Sequence, residues 1–360
     1  MNLPFEHLRP FPALALAILL LSPYATSHAD TGVRIGLQDR IAHAVLSLAE
    51  ARGDFAAEGV EVRLVGPWGA APVLDAGSPP GAASPLEALL EDEVDLLAIG
   101  ADALIEAERD GMALRGALLL GEAGASDVLF GEPALQAAGA LRGARIGLVS
   151  GASGRLLLAA ELQRRGLDLA DVQLEAMSVG EAISRWLTPG QRPPLQAVVV
   201  AAPAAIVFRY AVSDEAAEAT PQRPIARPVT RLGDGAGHAG LITDVLAGDE
   251  RWLRDNRERV KAVIRAWNRA VGALRRDRDG SIALLAERGG ASAELLRRSL
   301  DGVELYGTED NLRLLRGDFQ KNFSDMSQVL ARIERDRARG VPSANRFLSL
   351  SALRQVAAGR

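Results

Sequence analysis

Apolar and polar positions along the first two thirds of the chain alternate between two periods. Val33–Leu37 (VRIGL) is a short apolar run that reads as a buried strand ending at Gln38-Asp39. Within Ala42–Arg52, Val45, Leu48 and Ala49 recur at helical spacing, and Gly53 closes the segment. Val60–Val65 alternates as a second strand, completing a β-α-β unit of the kind that builds parallel sheets with right-handed crossovers. Pro67–Pro85 is rich in Gly, Pro, Ala and Ser and has no period, so it is expected as a long loop with Trp68 at its start. The pattern then resumes with a short helix at Leu86–Leu90 and a strand at Val94–Ile99 that ends in Gly100-Ala101-Asp102. A helix at Ala103–Asp110 and a strand at Leu114–Leu120 follow.

The environment changes around Gly121–Asp127. Ser126–Phe130 reads as a strand in a new sheet, so the first crossing between two lobes is expected there. A second α/β set follows. Ile146–Val149 runs into a turn of small residues, Ser150–Gly154, and then into a helix-compatible stretch, Leu156–Arg165. Val172–Met177 is a strand, Val179–Leu187 a helix, and Ala197–Val200 a strand ending in Ala201-Ala202-Pro203, before a helix over Ala204–Ser213. Three prolines in Pro221–Pro228 and the glycines of Arg231–Gly237 suit an extended return to the first lobe. His238–Val245 is expected as a strand there, and Leu253–Arg276 as one long amphipathic helix. From Ser281 onward the pattern is helical, broken at Gly289-Gly290, Gly307 and Gly340-Val341-Pro342.

Composition narrows the class. Phe11–Leu21 is an apolar run too short to span a bilayer, preceded by Arg9 and followed by Ser27-His28-Ala29, a small-x-small cleavage signature. The expectation is a leader over residues 1–29, cleaved near Ala29, and export. The chain has no cysteine, which removes disulfides, thiolate metal sites, cysteine nucleophiles and a lipidated anchor together. A free periplasmic protein of a bacterium with two membranes fits best. A net charge of −5 lacks the basic excess of a nucleic-acid binder, and 4% aromatics weakens readings built on aromatic cages.

Candidate chemistry sits at strand ends, because ligands of open α/β sheets bind outside the carboxyl ends of strands. That places Gln38, Asp39, Gly100, Ala101 and Asp102 on one side. On the other stand Ser150, Gly151, Ala152 and Ser153, with Met177, Ala202 and Pro203 as contact surface. Small residues at a helix start leave backbone N–H groups open to a polar or anionic group. The same serines also suit an ordinary N-cap, and Asp102 suits a cap of the helix after it. The turn fits no dinucleotide fingerprint, phosphate loop or nucleophile elbow. His7 and His28 leave with the leader. His43 is expected as a polar contact near the first loop and His238 as a structural histidine, with no metal and no cofactor implied.

Several segments resemble the substrate-binding proteins of ABC importers in the nitrate/sulfonate/bicarbonate and thiamine-precursor group. VRIGLQ followed by LAEARGDFAAEGVEVRLV resembles that group's opening strand, helix and second strand, with Asp54-Phe55 replacing an aromatic pair. LLEDEVDLLAIGADALI resembles a segment in which Asp92 replaces a usual glycine. LRGARIGLVSGASGRLLLAAELQRRGLDLADVQLEAM resembles the central lobe, and the stretch from Leu246 to Leu296 the long C-terminal helix and the element after it. One departure matters: many members carry Trp-Glu-Pro where Ala201-Ala202-Pro203 stands, so contacts made by that tryptophan and acid do not carry over.

The resemblance implies the type II periplasmic-binding fold, an α/β architecture of two lobes. Each lobe is a mainly parallel sheet flanked by helices, and the ligand cleft lies between them. Lobe one would comprise 30–122 and 232–360, and lobe two 123–231. The implied function is a non-enzymatic, monomeric periplasmic receptor that closes on a small polar or anionic solute, nitrate-, sulfonate- or thiamine-precursor-like. It would deliver that solute to an inner-membrane ABC permease. A ligand sensor of the same fold, coupled to a membrane regulator, is the alternative. An enzyme on the same fold, as among pyrimidine-synthesis relatives, relies on a cysteine-rich motif that this chain lacks.

Overall fold

Strand β1, Val33–Leu37, opens the first sheet in chain order. In this computed structural model the described residues are 32–66, 85–137, 139–188, 193–213, 227–289, 291–333 and 347–359. The expected leader, most of the Pro67–Pro85 loop with Trp68, and the Pro221–Pro228 segment up to residue 226 lie outside them. β1 pairs in parallel with β2 (Val62–Val65) and β3 (Leu96–Gly100). β10 (Thr243–Asp249) joins β3 and β4 (Leu114–Ala123) antiparallel to both, and β11 (Val303–Leu305) adds to β4. The order is β11-β4-β10-β3-β1-β2.

The second sheet has the order β7-β6-β8-β5-β9. β6 (Arg145–Leu148) pairs in parallel with β7 (Gln173–Ala176) and β8 (Ala197–Ala201). β5 (Asp127–Gly131) lies antiparallel between β8 and β9 (Thr230–Asp234). The glycine-rich return was thus only partly an extended link: its first half is a strand of the second sheet, running past the expected lobe limit at residue 231.

Both sheets are covered on both faces, which explains their near-continuous apolar strands. In β3, Leu97 and Ile99 face one core while Leu96 and Ala98 face another that holds Trp267, as the two-residue period requires. In β8, Ala197 and Val199 pack toward Leu156–Leu158, while Val198 and Val200 pack toward Trp186 and Phe208. The flanking helices of use below are α1 (Ala44–Ala51), α4 (Ala101–Arg109), α5 (Gly151–Arg164), α6 (Val179–Leu187) and α7 (Ala204–Ala211). No described helix is long and apolar enough to cross a membrane.

Several expected elements are corrected. α5 begins at Gly151, so the small-residue turn is the first turn of the helix itself. His238–Val245 is not one strand: Gly235–His238 forms a 3-10 turn, capped by Asp234 on the N–H of Gly237, and β10 begins only at Thr243. The long helix is two, Glu250–Asp255 and Arg257–Arg276, broken at Asn256 after a start capped by Asp249. β11 interrupts the region expected to be wholly helical.

The chain passes from the first sheet to the second between β4 and β5 and returns between β9 and β10. These two crossings touch. A Cβ on Gly235 would stand 2.1 Å from the Ala123 carbonyl oxygen; the first crossing is tied separately to the residue before β11, the N–H of Ser126 donating to the Gly302 carbonyl at 3.1 Å.

Candidate functional site

A cleft of about 250 Å³ opens where the carboxyl ends of parallel strands from both sheets meet. The first sheet supplies Gln38, Asp39 and Arg40 after β1 and Asp102 after β3. The second supplies Val149 to Ser153 after β6 and Ala201 to Ala204 after β8. The volume lies at the small end for ligand pockets.

The wall from α5 carries the clearest local signal. Ser150 occupies the N-cap position, yet its side chain caps nothing, and its Oγ is shut off from solvent without a hydrogen-bond partner. The first amides of a helix have no partners within it, so those of Gly151–Ser153 border the cleft uncapped. Ser153 Oγ donates instead to the Ser150 carbonyl at 3.2 Å. Gly154 lets the helix approach β8, since a Cβ there would lie 2.9 Å from Val199 Cγ1.

The opposite wall is charged. Gln38 Oε1 accepts from the N–H of Gly100 at 3.0 Å, tying the ends of β1 and β3 together. Arg40 is pressed against Asp244 of β10, and its Nη1 lies 4.0 Å from Oδ2 of Asp127 at the start of β5. Their side chains are only 10%, 2% and 4% exposed. Burial alone would lower the Arg40 pKa, but the carboxylates of Asp244, Asp127 and Asp102 reverse that and hold it above its usual range. Burial raises Asp102, Asp127 and Asp244, and Arg40 opposes the rise in each. His43 is buried behind this group, with Nδ1 3.0 Å from the Gln38 carbonyl and Nε2 3.8 Å from Asp244. Burial, then the Arg40 charge, push it down to about 3, so it is neutral at ordinary pH. Asp39 has no hydrogen bond or ion pair to the described protein, and burial raises its pKa as well.

Of the residues singled out from sequence, Gln38, Asp39, Asp102, Ser150, Gly151, Ala152, Ser153, Ala202 and Pro203 line this cleft. Gly100 and Ala101 do not: the first serves as a backbone donor to Gln38 and the second is buried. Met177 is also outside it, with its sulfur packed close to Gly147 beneath the second sheet's helices. Sequence reasoning missed Arg40, one position beyond the pair it chose, and the two aspartates behind it. His238 is a structural contact, its Nε2 2.9 Å from the buried Glu161. Among the described residues no group of three or more His, Cys, Asp or Glu side chains is placed to hold a metal.

Two helix-flanked sheets meeting at such a cleft define the periplasmic binding protein fold. Solved structures of that fold superpose on nearly the whole chain. The periplasmic aliphatic sulphonate binding protein of Escherichia coli is 18% identical with a TM-score of 0.62, covering 89% of this chain and 92% of that one. The alkanesulfonate-binding protein of Xanthomonas axonopodis pv. citri, bound to MOPS, is 20% identical with a TM-score of 0.60, covering 88% and 96%. A desulfurization enzyme, DSZB, shares 14% identity at a TM-score of 0.54, covering 91% and 99%. At these identities the likeness is one of fold. No protein-family model matches the chain, and no curated relative matches its sequence.

Proposed function

We propose that the chain is the solute-binding receptor of an ABC importer, exported to the periplasm after loss of its leader near Ala29. It closes its two sheets, as two lobes, on a small polar solute and hands that solute to a membrane permease. The observation that carries this reading is the start of α5. There an N-cap serine that does not cap, its buried hydroxyl without a partner, and the open helix-start amides all border a cleft between two sheets. A ligand acceptor group supplies the missing partner.

Two chain crossings in contact at Gly235 and Ala123 support a hinge, the usual element of closure in this fold. A binding role is favoured over catalysis by how the polar groups are already engaged. Ser153 donates to a backbone carbonyl, and His43 is held by Gln38 and lies behind the cleft rather than beside a serine. The experiment is native mass spectrometry of the protein isolated from the periplasm, with small-angle scattering before and after release of any bound molecule. A retained small molecule and a smaller radius with it are expected. An empty protein whose radius no polar solute changes would refute the receptor reading. Replacing Ser150 and Ser153 together by alanine should weaken that solute at least tenfold.

A further inference from the structure

The fold family's sulfonate binders suggest an anionic solute, and the helix start of α5 would accept one. The charges of the opposite wall point elsewhere. Arg40 is the cleft's one cation among the described residues, and it is already engaged by Asp244 and faces Asp127 at 4.0 Å. Asp102, 5% exposed, lines the cleft beside it. Asp39 also borders the cleft, and nothing in the described protein neutralises it. A wholly anionic solute would therefore enter against two lining carboxylates with no free cation to meet it.

We propose that the solute carries a protonated nitrogen, held by Asp39 and Asp102, together with an acceptor group that lies on the start of α5. This rests on the receptor reading and refines it. The cleft is then complementary at both ends. Ser150 Oγ and the Gly151–Ser153 amides donate to an oxyanion or carbonyl, and the carboxylates accept from an ammonium or amidinium. An amino-carboxylate or amino-sulfonate of a few carbons fits a volume of about 250 Å³. Asp39 follows β1 and Asp102 follows β3, both on the cleft, so the nitrogen is read by the first sheet and the acceptor by the second. Closure of the two sheets then brings both halves of the ligand into contact at once.

Calorimetry with matched probe pairs tests this: β-alanine against propionate, and 3-aminopropanesulfonate against propanesulfonate. The amine member of each pair should bind at least tenfold more tightly. Asp39→Asn, which breaks no hydrogen bond or ion pair to the described protein, should cut that ratio at least fivefold and strengthen the amine-free member by removing repulsion. Equal or tighter binding of the amine-free members would overturn the proposal while leaving the receptor reading intact. So would an unchanged ratio in D39N. If no probe binds, the co-purified molecule decides by its composition: one without a basic nitrogen overturns the proposal. A protein that retains no molecule and binds no probe overturns the receptor reading, and this inference with it.

Discussion

Replacing Arg40 by methionine keeps an unbranched apolar stem and removes the one cation that faces Asp244, Asp127 and Asp102. At 4.0 Å and an effective dielectric of about 20, a single such pair is worth about 4 kcal/mol in gross attraction. Removing one partner of a buried pair typically costs about 3–5 kcal/mol, because the other charge stays buried. Arg40→Met should therefore destabilise the protein by about that amount at pH 7.5. The deficit should shrink on acidification, for two reasons of the same sign. The three carboxyls are raised by burial, so their stabilising contribution is full below the unfolded value of 3.8 and is lost as pH rises through their folded values. Without Arg40 those folded values rise further, and protonation restores the variant at a milder pH than in the native chain. His43 is held down to about 3, so the native chain loses stability as pH falls from 6.5 toward that value. Loss of the Arg40 charge lets this pKa rise, which reduces the penalty in the variant. Urea unfolding followed by tryptophan fluorescence at pH 7.5 and pH 5 measures both effects. A midpoint shift of about 1–2 M at pH 7.5 and a smaller one at pH 5 are expected. A deficit under about 1 kcal/mol at pH 7.5, or one that grows at pH 5, would refute the charge argument.

Asn311 is fully buried and closes both backbone groups of Leu119, its Oδ1 accepting at 2.8 Å and its Nδ2 donating at 2.9 Å. Asn311→Leu strands those groups and should cost at least about 2 kcal/mol by chemical denaturation. Trp186 packs edge-on to Phe208 with its Nε1 donating to the Arg227 carbonyl, so Trp186→Ala should cost about 3–5 kcal/mol and lower the melting temperature sharply. Gly235→Ala forces a Cβ onto the Ala123 carbonyl at the touching crossings. It should cost about 1–3 kcal/mol and reduce the ligand-dependent change in scattering radius; an unaltered radius change would separate stability from hinge motion.

The central strands were legible because both of their faces are buried, which leaves apolar runs bounded by turn residues. β1 and α6 fall on their expected limits, and the strand-end rule brought most of the cleft lining into view. The start of α5 was misread because Gly and Ser are poor helix formers in isolation. Close packing on Val199 demands the small residue at Gly154 and overrides that propensity. The His238–Val245 segment misled for a related reason. Leu241 and Ile242 are apolar because they are buried at the crossing, and the strand starts only after them.

The charge character of the cleft was not legible at all. Asp127 opens an apolar strand and Asp244 sits near the start of another, and nothing in either local pattern says that they converge on Arg40. Only the pairing of β10 with β3 and of β5 with β8 brings the two carboxylates to the same guanidinium. The consequence is chemical. Read along the chain, Arg40 would be the natural counterion for an anionic solute. Read in three dimensions, its charge is engaged by Asp244 of the first sheet and faces Asp127 of the second, and in the proposed reading Asp39 and Asp102 set what the cleft accepts.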